Sequence, residues 1–195
     1  MNGILVLDKP AGMSSASAVD AVKKRLGAAR AGHGGTLDPL ATGVLPICLD
    51  EATKLAQYLL ADDKAYDAEL LLGVETDTLD RTGTITATRE VSVTREQFLA
   101  ALGKRTGEQD QIPPMFSAIK QGGTRLYHHA RAGIEVEREP RRIRIDALEL
   151  LHFEPPHARI SIACSPCTPG PATMSGRDST AAIVRNVCPG ASCCS

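Results

Sequence analysis

Apolar and polar positions follow two different periods along the chain, and this pattern predicts both strands and helices. Residues 64–72 alternate, with Tyr66 and Ala68 on one side and Asp67 and Glu69 on the other, as in a half-buried strand. Shorter apolar runs closed by turn residues predict further strands at 3–7, 44–49 and 84–88. A long strand at 143–150 is expected to pair with 160–163. Pro46 is expected to mark an edge or a bulge.

Helical spacing is present in four other segments. Ser14 or Ser15 is predicted to cap a helix that ends at Gly27, and Thr94 is predicted to cap a second one. Residues 51–60 have apolar positions on one helical face, and residues 126–131 predict a short helix. Residues 111–120 are expected to be extended because two prolines exclude a helix. Strands and helices mix without βαβ alternation or repeats, so we expect an α+β fold with a largely antiparallel central sheet and flanking helices.

Composition restricts the class of protein. The chain has 195 residues, of which 43% are hydrophobic and 23% charged, as in an ordinary globular domain. No apolar run reaches the length of a membrane span, and the N-terminus does not resemble a secretory signal. We therefore expect a cytoplasmic protein that contacts no membrane.

Charge gives a weaker indication. A formal net charge of −1 argues against a polyanionic partner unless the basic residues are clustered. Two clusters exist, and each is more often a solvated face than a phosphate-binding surface. The early cluster contains Lys23, Lys24, Arg25 and Arg30, and the late cluster contains Arg138, Arg141, Arg142 and Arg144.

Residues 32–43 are the most informative stretch. Four glycines and Pro39 exclude a regular helix or central strand and place Asp38 in a tightly folded loop. One interpretation is a functional loop whose backbone approaches a ligand. The other is a structural turn in which Asp38 bonds its own backbone or caps a helix.

The sequence of this loop, Gly-His-x-Gly-Thr-Leu-Asp-Pro-Leu-Ala-Thr-Gly-Val-Leu-Pro, resembles the catalytic signature of the TruB family, the tRNA pseudouridine-55 synthases. The family usually has Thr where this chain has Gly34. The resemblance implies a pseudouridine synthase fold and makes Asp38 the nucleophile that isomerises a uridine in the T-arm of tRNA. It also implies that this chain acts as a monomer without a cofactor or a metal.

The resemblance assigns roles to other residues. It makes Tyr66 catalytic, stacking on the target base and serving as a candidate for proton transfer at C5, although a strand tyrosine also commonly fills a core. For Lys9 the common alternative is an exposed charge at a turn, and for Asp80 it is a turn-capping carboxylate. The implied substrate-binding residues are Lys9, His33, Gly35, Thr36 and Asp80.

The expected reaction needs no redox chemistry. It breaks a C–N glycosidic bond and forms a C–C bond to the same sugar. A nucleophile, a base for the C5 proton and a pocket for an extruded base are therefore sufficient. An ionised carboxylate could attack either the uracil ring or the sugar carbon, and the sequence does not distinguish them.

The resemblance covers residues 3–165 and then stops. The family continues with Lys-Gly-Thr-Tyr-Val/Ile-Arg, and its arginine pairs with the nucleophilic aspartate; Pro171 stands at that position here. We therefore expect a catalytic domain at 1–165 that is incomplete at its C-terminus, and an irregular tail at 166–195 that is out of frame or disordered. Such a chain should have little or no activity. A zinc site among the tail cysteines is less favoured, because no histidine follows His157.

Two other classes of function remain. A non-catalytic tRNA-binding module could keep the fold without the chemistry. An unrelated phosphate-binding enzyme could use the glycine-rich loop, but no Lys-Ser/Thr pair follows that loop to open a helix.

Overall fold

The computed structural model describes residues 1–78, 80–113, 115, 120–121, 123–165 and 182–187. It confirms the α+β class, with short helices and antiparallel strand pairs. The chain divides into two compact units, with boundaries between Asp63 and Lys64 and between Arg185 and Asn186.

The first unit is a three-stranded sheet with one long helix. Ser14 caps the helix by accepting a hydrogen bond from the Ser17 amide, and Gly27 ends it in the left-handed conformation at φ 63°. The sheet order is β1-β3-β2, so β3 is central. The elements are β1 (Gly3–Lys9), α1 (Ser15–Leu26), β2 (Ala31–His33), β3 (Gly43–Leu49), a 3₁₀ helix (Asp50–Leu55) and α2 (Ala56–Leu60).

The core of this unit joins α1, β3 and the loop between β2 and β3. Val19 from α1 packs with Leu45 and Ile47 from β3, and the loop adds Leu37 and Ala41. Because Leu37 and Ala41 are buried on either side of Asp38, the glycine-rich loop is anchored in the core rather than lying loosely on the surface.

The second unit is built on a five-stranded sheet in the order β12-β4-β11-β10-β7, with two additional hairpins, β5-β6 and β8-β9. Its elements are β4 (Lys64–Leu72), β5 (Val74–Thr76), β6 (Ile85–Thr88), α3 (Arg95–Gly103), β7 (Gly107–Gln111), β8 (Lys120–Gln121), β9 (Thr124–Arg125), α4 (Leu126–Arg131), β10 (Arg141–Glu154), β11 (His157–Cys164) and β12 (Ala182–Val187).

One face of this sheet is covered by α3. Leu70 and Ile160 are buried there with Phe98, whose ring lies 5.2 Å from that of Phe153. Thr94 begins α3 with a reciprocal capping box to Gln97. The predicted strand at 64–72 and the predicted pairing of 143–150 with 160–163 are both confirmed.

Two local predictions are corrected. Residues 51–60 are helical as predicted, but they form a 3₁₀ helix followed by a short α-helix. Of the predicted apolar face, Leu55 and Tyr58 are exposed and only Leu59 is half-buried. Pro46 lies in the central strand of its sheet. Proline has no backbone N–H to donate to a neighbouring strand. Pro46 is tolerated because the pairing of β3 with β2 ends one residue away, at Ile47 and His33, so β2 does not require that hydrogen bond.

Several predictions fall wholly or partly outside the described residues. The extended stretch at 111–120 is described only at its ends and at Met115. In the segment 166–195, Ala182–Val187 form β12, and the remaining residues, with Cys167 and Pro171 among them, are outside the described part of the chain.

Candidate active site

The loop that carries Asp38 is held from its N-terminal side by the start of α1. The Ser15 hydroxyl accepts a hydrogen bond from the Leu37 amide at 2.9 Å and donates one to the Leu37 carbonyl at 3.0 Å. Ser15 is buried, so both bonds are shielded from water. The residue before Asp38 therefore has both of its backbone polar groups fixed by one side chain.

The C-terminal side of the loop is held by Lys9, at the end of β1. Its side chain is fully buried, and its ammonium donates hydrogen bonds to the carbonyls of Pro10 at 2.9 Å, Met13 at 2.7 Å and Pro39 at 3.5 Å. The Gly12 amide donates a further bond of 2.8 Å to the Pro39 carbonyl. The residue after Asp38 is therefore tied to the turn that follows β1.

Asp38 itself is half-buried between these two fixed residues. Its backbone carbonyl accepts a hydrogen bond from the Ala41 amide at 3.0 Å and closes a tight turn. The next element is the strand β3, so Asp38 does not cap a helix. This excludes helix capping, which is one of the two forms of the structural-turn interpretation.

The electrostatics of the loop couple Lys9 to Asp38. Burial lowers the pKa of the Lys9 ammonium below its usual 10.5, and the negative charge of Asp38 acts in the opposite direction. Lys9, expected from the resemblance to be a substrate-binding residue, is thus placed beneath the loop, where its charge acts on Asp38 and its three donors face carbonyl groups.

The contacts of Gly34 explain why glycine stands where the family signature usually has threonine. The Gly34 amide donates to the Pro46 carbonyl at 2.9 Å, and a Cβ at Gly34 would lie only 2.6 Å from the Cβ of Leu59. A side chain there would displace Leu59 of α2. Gly35 has open space around its Cβ position, and Thr36 is half-buried.

His33 ends β2 at the start of the loop. Its side chain is half-buried, and its Nδ1 is a buried atom with no hydrogen-bond partner among the described residues. Buried polar atoms in native proteins usually have a hydrogen-bond partner, so the His33 Nδ1 is a position where a ligand or a water molecule would supply one.

The other two predicted site residues belong to the second unit. Tyr66 is half-buried on β4 opposite Ile162 and packs at the margin of the core. The Asp80 carboxylate accepts hydrogen bonds from the Thr78 hydroxyl and the Thr82 amide, each at 2.8 Å. Its turn-capping alternative is therefore realised in the hairpin loop between β5 and β6.

Ser15 is a residue of the site that the sequence pattern does not single out. The Ser14-Ser15 pair offers one cap with two candidates, and only Ser14 caps α1. The signal that could have identified Ser15 is a second serine directly after the capping serine, at a position where the helix directs the side chain inward. In the described residues, no group of three or more His, Cys, Asp or Glu side chains could hold a metal ion.

Comparison with known proteins agrees with this geometry. The model of the TruB family pseudouridylate synthase N-terminal domain matches residues 23–168. The tRNA pseudouridine synthases B of Pseudomonas paraeruginosa and Vibrio cholerae are 52% and 50% identical over 165 residues, which cover 85% of this chain and 54% and 53% of those proteins. This chain belongs to the TruB family of pseudouridine synthases.

Solved structures give the same fold. A chain in the crystal structure of a Cbf5-Nop10-Gar1 complex aligns with a TM-score of 0.63 at 28% identity, covering 91% of this chain and 41% of that one. A chain of the archaeal box H/ACA sRNP Nop10-Cbf5 complex aligns with a TM-score of 0.59 at 26% identity, covering 86% and 39%.

The chain spans about half the length of the relatives it matches. None of the helices in the described part of the chain has the length and apolarity that a membrane crossing requires.

The Lys9 contacts predict a specific drop in stability. Lys9→Met keeps the apolar stem but removes three hydrogen bonds to the carbonyls of Pro10, Met13 and Pro39, so we expect the free energy of unfolding to fall by about 2–4 kcal/mol. Urea unfolding followed by circular dichroism measures it. Lys54→Met, at an exposed lysine paired with Glu51, should cost less than about 1 kcal/mol. Equal losses of unfolding free energy from Lys9→Met and Lys54→Met would contradict the role of Lys9 in holding the loop.

Proposed function

We propose that this chain carries the nucleophile of an enzyme that isomerises uridine to pseudouridine in tRNA, at position 55 of the T-loop. The observation that supports this most is Asp38, a half-buried carboxylate between two immobilised residues in a glycine-rich loop. Relatives that are 50–52% identical over 165 residues of this chain are named tRNA pseudouridine synthase B.

The geometry suits nucleophilic catalysis. Fixing Leu37 and Pro39 restricts where the Asp38 carboxylate can lie, so little further ordering is needed when substrate arrives. The Lys9 ammonium and the Asp38 carboxylate interact through space, and an ionised carboxylate is the form that attacks. The proposal covers attack on either the base or the sugar carbon, because both use the same ionised carboxylate.

The remaining roles follow from the resemblance. Tyr66 is assigned to stack on the target base and to take part in proton transfer at C5. His33, with its unpartnered Nδ1, is assigned to the extruded nucleotides of the T-loop. Lys9, which the resemblance makes a substrate-binding residue, is assigned instead to hold the loop, because its three donors face carbonyl groups. Asp80 is retained as a substrate contact only through its carboxylate oxygen Oδ2, because Thr78 and Thr82 donate to Oδ1.

The partner we propose is the T-arm of tRNA, recognised by loop shape and extruded bases rather than by duplex sequence. This mode suits a chain with a net charge of −1 and local basic patches. We further propose that the protein acts as a monomer in the cytoplasm and needs no cofactor, since the reaction transfers no electrons.

Replacing the nucleophile separates catalysis from binding. Asp38→Asn should reduce isomerisation at least about 1,000-fold, an order-of-magnitude expectation for removal of a covalent catalyst, and should leave tRNA affinity within about threefold. Tritium release from C5-labelled uridine in a tRNA transcript, with enzyme in excess over several hours, measures the chemistry. Filter binding measures affinity.

The matched control is Asp63→Asn, which makes the same change at an exposed position before β4. It should leave both quantities unchanged. Isomerisation that survives Asp38→Asn would refute the assigned nucleophile. If a chain with the family motif restored at 166–171 binds tRNA but never forms pseudouridine, the non-catalytic binding module becomes the better description.

The residue at position 171 predicts low activity in this chain. The family motif places an arginine there to pair with the nucleophile, and proline supplies no charge. Restoring the motif through Pro166→Lys, Cys167→Gly, Pro169→Tyr, Gly170→Ile and Pro171→Arg, around the existing Thr168, should raise the rate at least about tenfold by charge compensation. The control carries the same changes with Pro171→Gln. Equal rates from the two variants would contradict a role for the guanidinium.

A further inference from the structure

The two basic clusters seen in the sequence differ in what faces them. In the late cluster, Arg142 forms ion pairs with Glu108 at 2.8 Å and Asp110 at 3.5 Å. Arg144 pairs with Asp146 at 2.6 Å, and Arg138 donates to the carbonyl of Pro113. Most of the positive charge on this surface is therefore neutralised or engaged within the protein.

The early cluster is not neutralised in this way. Lys23, Lys24 and Arg25 form the last turn of α1, and none of them has an ion pair with a described residue. Asp20, one turn earlier, is the only acidic residue on this helix. The early cluster therefore keeps a net positive charge.

The acidic group closest to Arg30 along the fold is also compensated. The Asp50 carboxylate receives the N-terminal ammonium at 2.7 Å and the backbone amide of Arg30 at 2.8 Å. The Arg30 guanidinium is exposed and is not paired with a described carboxylate. Arg30 thus extends the same positive surface toward β2.

This surface belongs to the same unit as the Asp38 loop and is joined to it at both ends of α1. At one end, Ser15 binds Leu37 beside Asp38. At the other, the chain passes from Arg25 into β2, which leads to the loop. A helix rises about 1.5 Å per residue, so Lys24 lies roughly 14 Å along the axis from Ser15. The basic turn is therefore separated along the helix from the Ser15 contact that holds the Asp38 loop.

We propose that the α1 basic surface, formed by Lys23, Lys24, Arg25 and Arg30, binds phosphates of the tRNA substrate, and that the late arginine cluster does not. This inference rests on the proposed function. Cations at a helix C-terminus also interact favourably with the helix dipole, which is the structural alternative. The two explanations differ in their effect on RNA binding.

Salt dependence of binding tests the proposal, because removing one phosphate contact lowers the slope of log K against log salt by about 1. One double variant of the full chain combines Lys24→Gln with Arg25→Gln, and the other combines Arg142→Gln with Arg144→Gln. Both remove two positive charges. The probe is an unmodified tRNA transcript, titrated from about 50 to about 300 mM salt, the range where such contacts affect affinity.

The α1 pair should weaken binding about tenfold or more at low salt and lower the slope by about 2. The late pair should change affinity less than about twofold and leave the slope unchanged. Arg30→Gln, which lies outside the helix and does not alter its dipole, should lower the slope by about 1 and covers the case in which the α1 pair fails to fold.

Equal reductions in affinity from the two double variants would mean that only net charge matters and would overturn the inference. An α1 pair and an Arg30→Gln variant that both bind like the unmodified chain would also overturn it. Either result leaves the proposed function intact. If the unmodified chain binds no tRNA at any salt concentration, the inference and the proposed function fail together.

Discussion

The buried ammonium of Lys9 is the interaction on which the Asp38 loop depends. Moving a charged amine out of water costs several kcal/mol, so it is retained only where partners compensate for the lost hydration. A lysine has three donors, and here the carbonyls of Pro10, Met13 and Pro39 take all three. One side chain thereby joins the end of β1 to the far side of the glycine-rich loop.

The same contacts leave a through-space role for the Lys9 charge. Since its donors are directed at carbonyls, its influence on Asp38 is Coulombic, and this influence is strengthened where water is excluded. Ser15 performs the matching task on the other side, through Leu37. The nucleophile proposed here thus lies between two residues whose backbone groups are fixed, which is a form of preorganisation.

Much of this fold is local in origin and could be predicted from the sequence. The alternation over 64–72 predicts a strand, and the Thr94-x-x-Gln97 capping box predicts the start of a helix. Both can be predicted because side-chain period and cap chemistry depend only on residues close together in the sequence. Residues 51–60 are harder to predict, since a helical period does not reveal whether anything packs on the apolar face. Leu55 and Tyr58 are exposed, and only one α-helical turn forms.

The candidate site shows the same division. Asp38 could be assigned from its motif, but the position of Lys9 could not be predicted, because lysine is rarely fully buried and the carbonyls that compensate it come from two distant segments. The role of Ser15 could not be predicted either, because Ser14 and Ser15 both fit the N-cap position of α1. Asp80 lies in a turn whose own Thr78 and Thr82 bind it, so the local alternative accounts for its described contacts.

A titration of the Lys9 amine by NMR tests the central claim most directly. With lysine labelled at Cε and Nζ and the signal assigned through Lys9→Arg, the pKa of Lys9 should lie below 10.5, because burial disfavours the charged form. In the Asp38→Asn variant this pKa should fall further, because the opposing negative charge is gone. A Lys9 pKa at or above 10.5, or one that Asp38→Asn does not move, would contradict the role given to this buried ammonium.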